Sequence, residues 1–386
     1  MSKKINVMMC LVMCLVLGST ACSPKVAGGA GSGIVEEPDY QSNLNLLSPL
    51  EYGNVDGLSL EPGSVISIIG RAQGTPYWDA VKKGAAQAVS DINNNLGYKG
   101  DKKVKLSYAG PSQVDSVDEQ VNILDEELSR YPSALGIAIA DASACDVQFD
   151  LATENGIPIV SFDSGSNYQG IMSMISTNNE EATKTATAQL ANSMDKSGEI
   201  ILVVHDSSST TGTIRQQTIE QEIAENYPDM KVAKVISMDK IEDEKAAITV
   251  AKNASKGEND PEITADSLSD EDVISYYMEM IPTVHGLIGT NVDTTQLIVA
   301  ACDNAKADGD QTTVVGFDGG DDQIDALKSG KIDGLIVQNP FGMGYATVVA
   351  ASRAVLGLGN EASVDSGYVW VTADNIEKDS IQKILY

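Results

Sequence analysis

Five polar side chains stand where short apolar runs end. Asp141 follows the run at 135–139, Asp163 the run at 159–162, and Asn291 the run at 284–288. Asp318 follows 314–317, and Gln338 follows 335–337. All five are carboxylates or amides. A carboxylate accepts two hydrogen bonds side by side, and an amide both donates and accepts. That inventory suits neighbouring hydroxyl groups on one small polar molecule. Taken singly, each residue reads first as a turn or capping residue. Their coincidence at strand ends from distant parts of the chain points to one shared site.

Aromatic rings add an apolar surface to that chemistry. Tyr77 and Trp78 follow Pro76 just after the first apolar run. A ring face covers the C–H side of a cyclic sugar. Trp78 also fits the core stripe of its helix, whereas Tyr77 lies off that stripe and is the better pocket residue. Phe341, after Pro340, is a weaker candidate.

Signatures of catalysis are missing. The two histidines, His205 and His285, have no metal-ligand spacing, so no metal is expected. No Gly-x-Ser-x-Gly elbow and no phosphate-cradling loop occur. Chance carboxylate pairs are expected among 55 acidic residues, so a glycosidase reading gains little from them. The expectation is a binding protein without a cofactor, and not an enzyme.

The elements that must position these residues alternate. The run at 65–69 has no helical stripe and reads as a buried strand. Trp78, Val81, Ala85, Ala88 and Ile92 recur at helical steps. Strands at 104–108, 135–139 and 157–162 then alternate with helices over 114–128 and 142–155. The pattern resumes with strands at 200–204, 232–236, 284–288, 312–317, 335–337 and 368–371. Helices near 213–226, 243–254, 292–306, 320–329 and 342–356 lie between them. The acidic stretch 256–272 reads as a surface insertion, with Ser269 and Asp272 capping the helix that follows. Such alternation predicts an α/β fold of parallel sheets flanked by helices. With 386 residues, 42% of them hydrophobic, the chain can fill two cores.

The charge is -29, which repels nucleic acid and anionic membranes and serves solubility. No nucleic-acid partner is expected. Lys3 and Lys4 precede an apolar run at 5–17 too short to span a bilayer comfortably, which reads as a targeting segment. Residues 18–22 read Gly-Ser-Thr-Ala-Cys, which resembles the bacterial lipoprotein processing site, with Ser19 where a Leu is usual. That resemblance implies a signal peptide over 1–21, lipidation of Cys22 and a stable membrane anchor outside the cytoplasm. An ordinary signal peptide cut elsewhere is the other reading. Residues 22–62, rich in Gly at their start, are expected to form a flexible tether. Of the remaining thiols, Cys145 and Cys302 read as small buried apolar residues.

Several strings carry a family resemblance. Gly74-Thr75-Pro76-Tyr77-Trp78, Ile157-Pro158-Ile159-Val160-Ser161-Phe162-Asp163, Val314-Val315-Gly316-Phe317-Asp318-Gly319 and Leu335-Ile336-Val337-Gln338 resemble type I periplasmic sugar-binding proteins. Within that family the strings resemble ribose- and galactose-type receptors. The likeness runs from about Val65 onward. It implies two Rossmann-like lobes joined by three crossovers near Thr177, Gln338 and Asp365. The lobes would be 63–177 with 339–365, and 178–338 with 366–386. It also implies that Tyr77, Trp78, Asp163, Arg215, Asn291, Asp318 and Gln338 hold a sugar, with Asp141 an approximate match. Arg215 reads equally as a solvated helix residue. Ribose-type receptors carry an Arg just after the first-lobe Asp, where this chain has Ser164, so the ligand need not be ribose. The lac repressor family shares the fold but carries a DNA-binding headpiece, and here a signal segment occupies that place.

The implied function is capture of a small polar ligand by a monomer, through hinge closure, and delivery to the permease of an ABC importer. The alternative is a sensing module that signals to a membrane kinase or chemoreceptor.

Overall fold

The computed structural model describes residues 37–257, 260–305 and 312–386. The signal segment, Cys22 and the tether up to residue 36 lie outside the described residues.

Helix α1 (Gln41–Leu44) precedes the first strand, β1 (Val65–Ile69). Helix α2 (Pro76–Leu96) starts at a Thr75 cap with Pro76 in its first turn, and it stops at Gly97, whose φ of 66° only glycine adopts at little cost. Strand β2 (Lys105–Ala109), helix α3 (Val117–Ser129), strand β3 (Ala134–Ile137), helix α4 (Asp146–Glu154), strand β4 (Ile159–Phe162) and strand β5 (Ile171–Ser176) follow. The chain then runs through α5 (Asn179–Ser193), β6 (Gly198–Val204), α6 (Thr210–Asn226), β7 (Met230–Ser237), α7 (Ile241–Ala254) and α8 (Asp270–Met280). It continues through β8 (Val284–Gly289), α9 (Val292–Ala305), β9 (Thr313–Phe317), α10 (Asp321–Lys328) and β10 (Gly334–Gln338). Helix α11 (Pro340–Val355), strands β11 (Ser363–Asp365) and β12 (Tyr368–Val371), and helix α12 (Asp379–Gln382) end the fold.

Two sheets result. The first runs β11-β5-β4-β3-β1-β2 and is parallel throughout. The second runs β12-β10-β9-β8-β6-β7 and is parallel except where β12 meets β10. The α/β class and the two-lobe architecture are therefore as the sequence predicts. The chain passes between the sheets three times: after β5, after β10 and after β11.

Crossing back after β10 lets α11 complete the first lobe. Its Met343, Ala346 and Val349 share a core with Val81, Ala85 and Ala88 of α2. The two helices meet at glycines. A Cβ on Gly84 would lie 1.9 Å from the Phe341 carbonyl oxygen, and one on Gly344 would lie 2.0 Å from that of Val81.

Residues 39–62 correct the tether expectation. Leu47, Tyr52, Leu58 and Leu60 are buried in the first lobe's core, and apolar burial of this size holds a segment in place. Asn43 also exchanges hydrogen bonds with Asn339 at the second crossover, and Ser48 bridges to Asp365 at the third. The leucines were present in the sequence, but their spacing follows neither strand nor helix.

Other expectations differ in detail. Strands β5 and β11 and helix α5 were not foreseen. Ser269 and Asp272 do cap α8, each side chain accepting from the other's backbone N–H. Cys145 is buried as expected, whereas Cys302 is only half-buried.

Candidate ligand-binding cleft

In parallel α/β sheets the loops at the carboxyl ends of the strands form the binding crevice. Here the carboxyl ends of both sheets border one cleft of about 480 Å³. Tyr77, Trp78 and Asp163 line it from the first lobe, and Arg215, Asn291, Asp318 and Gln338 from the second.

Asp163 and Asp318 enter it by the same backbone device. Each follows a strand with positive φ, 58° for Asp163 and 77° for Asp318. Aspartate tolerates this left-handed turn better than most residues. In each case the backbone N–H still donates to the neighbouring strand: Asp163 to the Ile175 carbonyl at 2.8 Å, and Asp318 to that of Ile336 at 2.7 Å.

Their side chains differ in how far the protein satisfies them. Oδ1 of Asp163 accepts from the Tyr77 hydroxyl at 2.6 Å. Its Oδ2 has no donor among the described residues. Oδ1 of Asp318 accepts from Gln338 Nε2 at 2.6 Å and from the Tyr386 hydroxyl at 3.3 Å. Its Oδ2 accepts from the Val292 N–H at 2.9 Å, at the start of α9. Burial pushes the Asp318 carboxyl pKa up, and Asp163 adds to that, while Arg215 and Gln338 oppose it. Burial and Asp163 hold the Tyr77 phenol well above its ordinary range, so it stays a donor.

Gln338 sits at the second crossover. Its Oε1 accepts from the Thr177 hydroxyl at 2.9 Å, which ties it to the first crossover. Arg215 lies on α6 and is buried rather than solvated. Its Nε donates to Asn179 Oδ1 at 2.8 Å and its Nη1 to the Thr290 carbonyl. Its guanidinium carbon stands 4.1 Å from the Phe317 ring centroid. Burial lowers its pKa and Asp318 and Asp163 counter that, but a guanidinium stays charged. Its Nη2 has no acceptor among the described residues. Asn291 lines the cleft while its Oδ1 accepts from the Thr294 N–H at 2.9 Å, so it also caps α9. Trp78 serves both roles, lining the cleft and packing edge-on against Phe162.

Asp141 is corrected. It is not among the residues lining the cleft. Its Oδ1 accepts from the Ser143 and Ala144 N–H groups, each at 3.0 Å, and holds the turn before α4. An Asx turn of this kind satisfies backbone donors locally. Phe341 likewise stacks on Tyr40 instead of lining the cleft.

Sequence reasoning missed Arg71, Asp206, His205 and Tyr386. Arg71 is buried, and its Nε donates to Asp115 Oδ1 at 2.6 Å within the first lobe. Its Nη2 reaches Asp206 Oδ2 of the second lobe at 3.1 Å. The signal was present, since Arg71 and Asp206 stand at the ends of β1 and β6 as Asp163 and Asp318 do at theirs. Beside them, burial and Arg215 hold the His205 pKa down at about 3, so that ring is neutral at pH 7. Tyr386 follows no strand, and only the packing of α12 brings it to the cleft. The lobes touch again where Ser164 Oγ meets Thr210 Oγ1 at 3.1 Å. These cross-cleft contacts mark a closed arrangement.

Known proteins share this architecture. The ribose import binding protein of Haemophilus influenzae is 24% identical over 291 residues, covering 75% of this chain and 85% of that protein. A carbohydrate transporter solute-binding protein from Agrobacterium radiobacter, solved with D-arabinose, superposes with a TM-score of 0.68 at 24% identity, over 85% of this chain and 100% of that one. A solute-binding protein from Agrobacterium vitis, solved with α-D-tagatopyranose, gives 0.69 at 20% identity, over 84% and 99%. The family model for the periplasmic binding protein domain matches residues 66–359, three-quarters of the sequence, and the chain belongs to that family.

Proposed function

We propose that this chain is an extracytoplasmic solute-binding protein that captures a monosaccharide between its lobes and passes it to an ABC importer, without converting it. The observation that carries this reading is the unspent hydrogen-bonding capacity facing one cleft. Asp163 Oδ2 offers an acceptor from the first lobe, and Arg215 Nη2 offers a donor from the second. A hydroxyl ligand that bridges them makes both contacts only when the lobes are closed. Differential binding of this kind is what shifts a hinge equilibrium. The relatives solved with D-arabinose and tagatose support a sugar of that size.

The moving bodies are residues 39–177 with 339–365, because the buried segment 39–62 travels with the first lobe, and 178–338 with 366–386. Thr177, Gln338 and Asp365 mark the three strands of the hinge. Tyr77, Trp78, Asp163, Arg215, Asn291, Asp318 and Gln338 form the ligand set. Ser164 stands where ribose-type receptors place an Arg and spends its hydroxyl on Thr210, so a sugar other than ribose fits this site better. Lipidation of Cys22 would keep the monomer at the outer face of the cell membrane.

A thermal-shift screen against aldopentoses, aldohexoses and ketohexoses tests the reading. A cognate sugar at about 100 times its Kd adds about 2.7 kcal/mol to stability. Recovery of that sugar unchanged is the second expected result. Absence of a shift with every sugar, or chemical conversion of the one that binds, would overturn the proposal.

A further inference from the structure

The segment ahead of β1 does more than fill the first lobe. Leu44 and Leu47 are buried in that lobe's core, which fixes the backbone between them to it. Leu46 turns the other way and packs against the core of the second lobe. It lies over Gly367, just past the third crossover. A Cβ on Gly367 would stand 2.7 Å from both the Cβ and the carbonyl oxygen of Leu46, and the φ of 80° there favours glycine.

Hydrogen bonds fasten the same segment to two crossovers. Asn43 Nδ2 donates to Asn339 Oδ1 at 3.1 Å. Asn339 Nδ2 donates back to the Asn43 carbonyl at 2.7 Å and also to the Ser366 carbonyl at 2.8 Å. One buried carboxamide thus ties the segment, the second crossover and the third together, and buried polar groups so paired are costly to separate. Ser48 and Asp365 exchange both backbone hydrogen bonds, each at 2.9 Å. Residues 43–48 therefore lie across two of the three hinge strands, rooted in one lobe and resting on the other. A rotation of the lobes must break or reshape the Leu46 contact. None of these residues is among those lining the cleft.

We infer that residues 43–48 form a strap across the hinge that holds the lobes in their closed relation, so that Leu46 sets ligand affinity from outside the cleft. This rests on the sugar-binding reading above. Leu46 is a positioning residue, and its signature differs from that of a ligand contact. A residue that acts on the closing equilibrium changes the fraction of competent protein and weakens every ligand by the same factor. A residue that touches the ligand weakens different sugars unequally.

Titration calorimetry with D-arabinose, D-tagatose, D-fucose, D-ribose and D-galactose tests it on the parent chain and its variants. Leu46→Ala should weaken each sugar that binds by about three- to tenfold, and by the same factor to within about twofold. Leu58→Ala is the control, because it truncates a leucine of the same segment that is buried in the first lobe's core. It should lower the melting temperature and leave affinity unchanged. Should Leu46→Ala melt early, Leu46→Val removes less and should give a smaller loss that is still uniform. Unchanged affinity in a folded Leu46 variant, a loss that varies severalfold between sugars, or an equal loss in Leu58→Ala overturns this inference while leaving sugar binding intact. A parent that takes none of the five sugars overturns the underlying reading, and this inference with it.

Discussion

Arg71 spans the two lobes, donating through Nε to Asp115 on its own side and through Nη2 to Asp206 on the other, at 2.6 and 3.1 Å. Asp206 is fixed for this, because its Oδ1 accepts from the Ser208 and Ser209 N–H groups. Opening the cleft breaks only the Asp206 arm, since Asp115 travels with Arg71. The pair is therefore a contact of the closed form alone. Asp206→Asn should weaken ligand affinity by about tenfold or more, mainly through faster release. Stopped-flow release of the cognate sugar measures this. Unchanged release with an intact fold would show that the arm adds nothing to closure.

Asp163 is the cleanest of the proposed ligand contacts to remove. Its Oδ2 has no donor among the described residues, whereas Asp318 also holds Gln338 and the start of α9. Asp163→Asn should lower sugar affinity by about 1.5–3 kcal/mol, the range for a hydrogen bond to a charged group, and leave apo stability nearly unchanged. Asp318→Ala should instead lower both. Calorimetry and apo melting together separate the two cases.

Gly84 and Gly344 allow α2 and α11 to touch backbone to backbone. Gly84→Ala places a methyl inside the Phe341 carbonyl and forces the helices apart. Overpacking of this kind costs roughly 1–3 kcal/mol and can cost more. Urea unfolding should show the loss, and the variant should still melt when sugar is added, at a lower temperature than the parent.

His205 makes stability depend on pH. Its folded pKa of about 3 lies below the ordinary value of 6.5, so below 6.5 the unfolded chain takes up a proton that the folded ring refuses. Stability is fully present above about pH 6.5 and falls as pH drops towards 3, by up to about 1.4 kcal/mol per pH unit from this group. The ring also accepts or donates at Nδ1 with Thr290, 2.8 Å away, so an isosteric amide is the mildest replacement. His205→Asn should flatten the slope between pH 6 and 4 in chemical denaturation, whatever it does to absolute stability. An identical slope in both proteins would remove His205 as its origin.

Legibility in the sequence followed the strength of local patterns. The buried strands and the α2 stripe could be read because apolar residues alone define them. Helix α5 was hidden because Thr183 and Thr187 share its buried face with Ala182, Ala186 and Leu190. Strand β5 reads Ile-Met-Ser-Met-Ile-Ser, with Ser173 buried and Met172 exposed, so its hydropathy does not follow its burial. At the site, residues at strand ends were found by position, apart from Arg71 and Asp206, to which the same rule applied unused. Asp141 satisfied the rule and still failed, because its carboxylate closes its own turn. Tyr386 lay beyond any local rule, since tertiary packing alone brings α12 beside Asp318.

The returning helix α11 has a consequence for biosynthesis. Residues 65–176 emerge from the ribosome first and hold most of the first sheet, but the inner face of α2 stays uncovered until residues 340–355 are made. The amino-side segment waits longer still, because Ser48 pairs with Asp365. Long-range closure of this sort slows folding and leaves greasy surface bare in the meantime. The first lobe thus stays loose until nearly all of the polypeptide has been synthesised, a state that suits passage through a narrow channel.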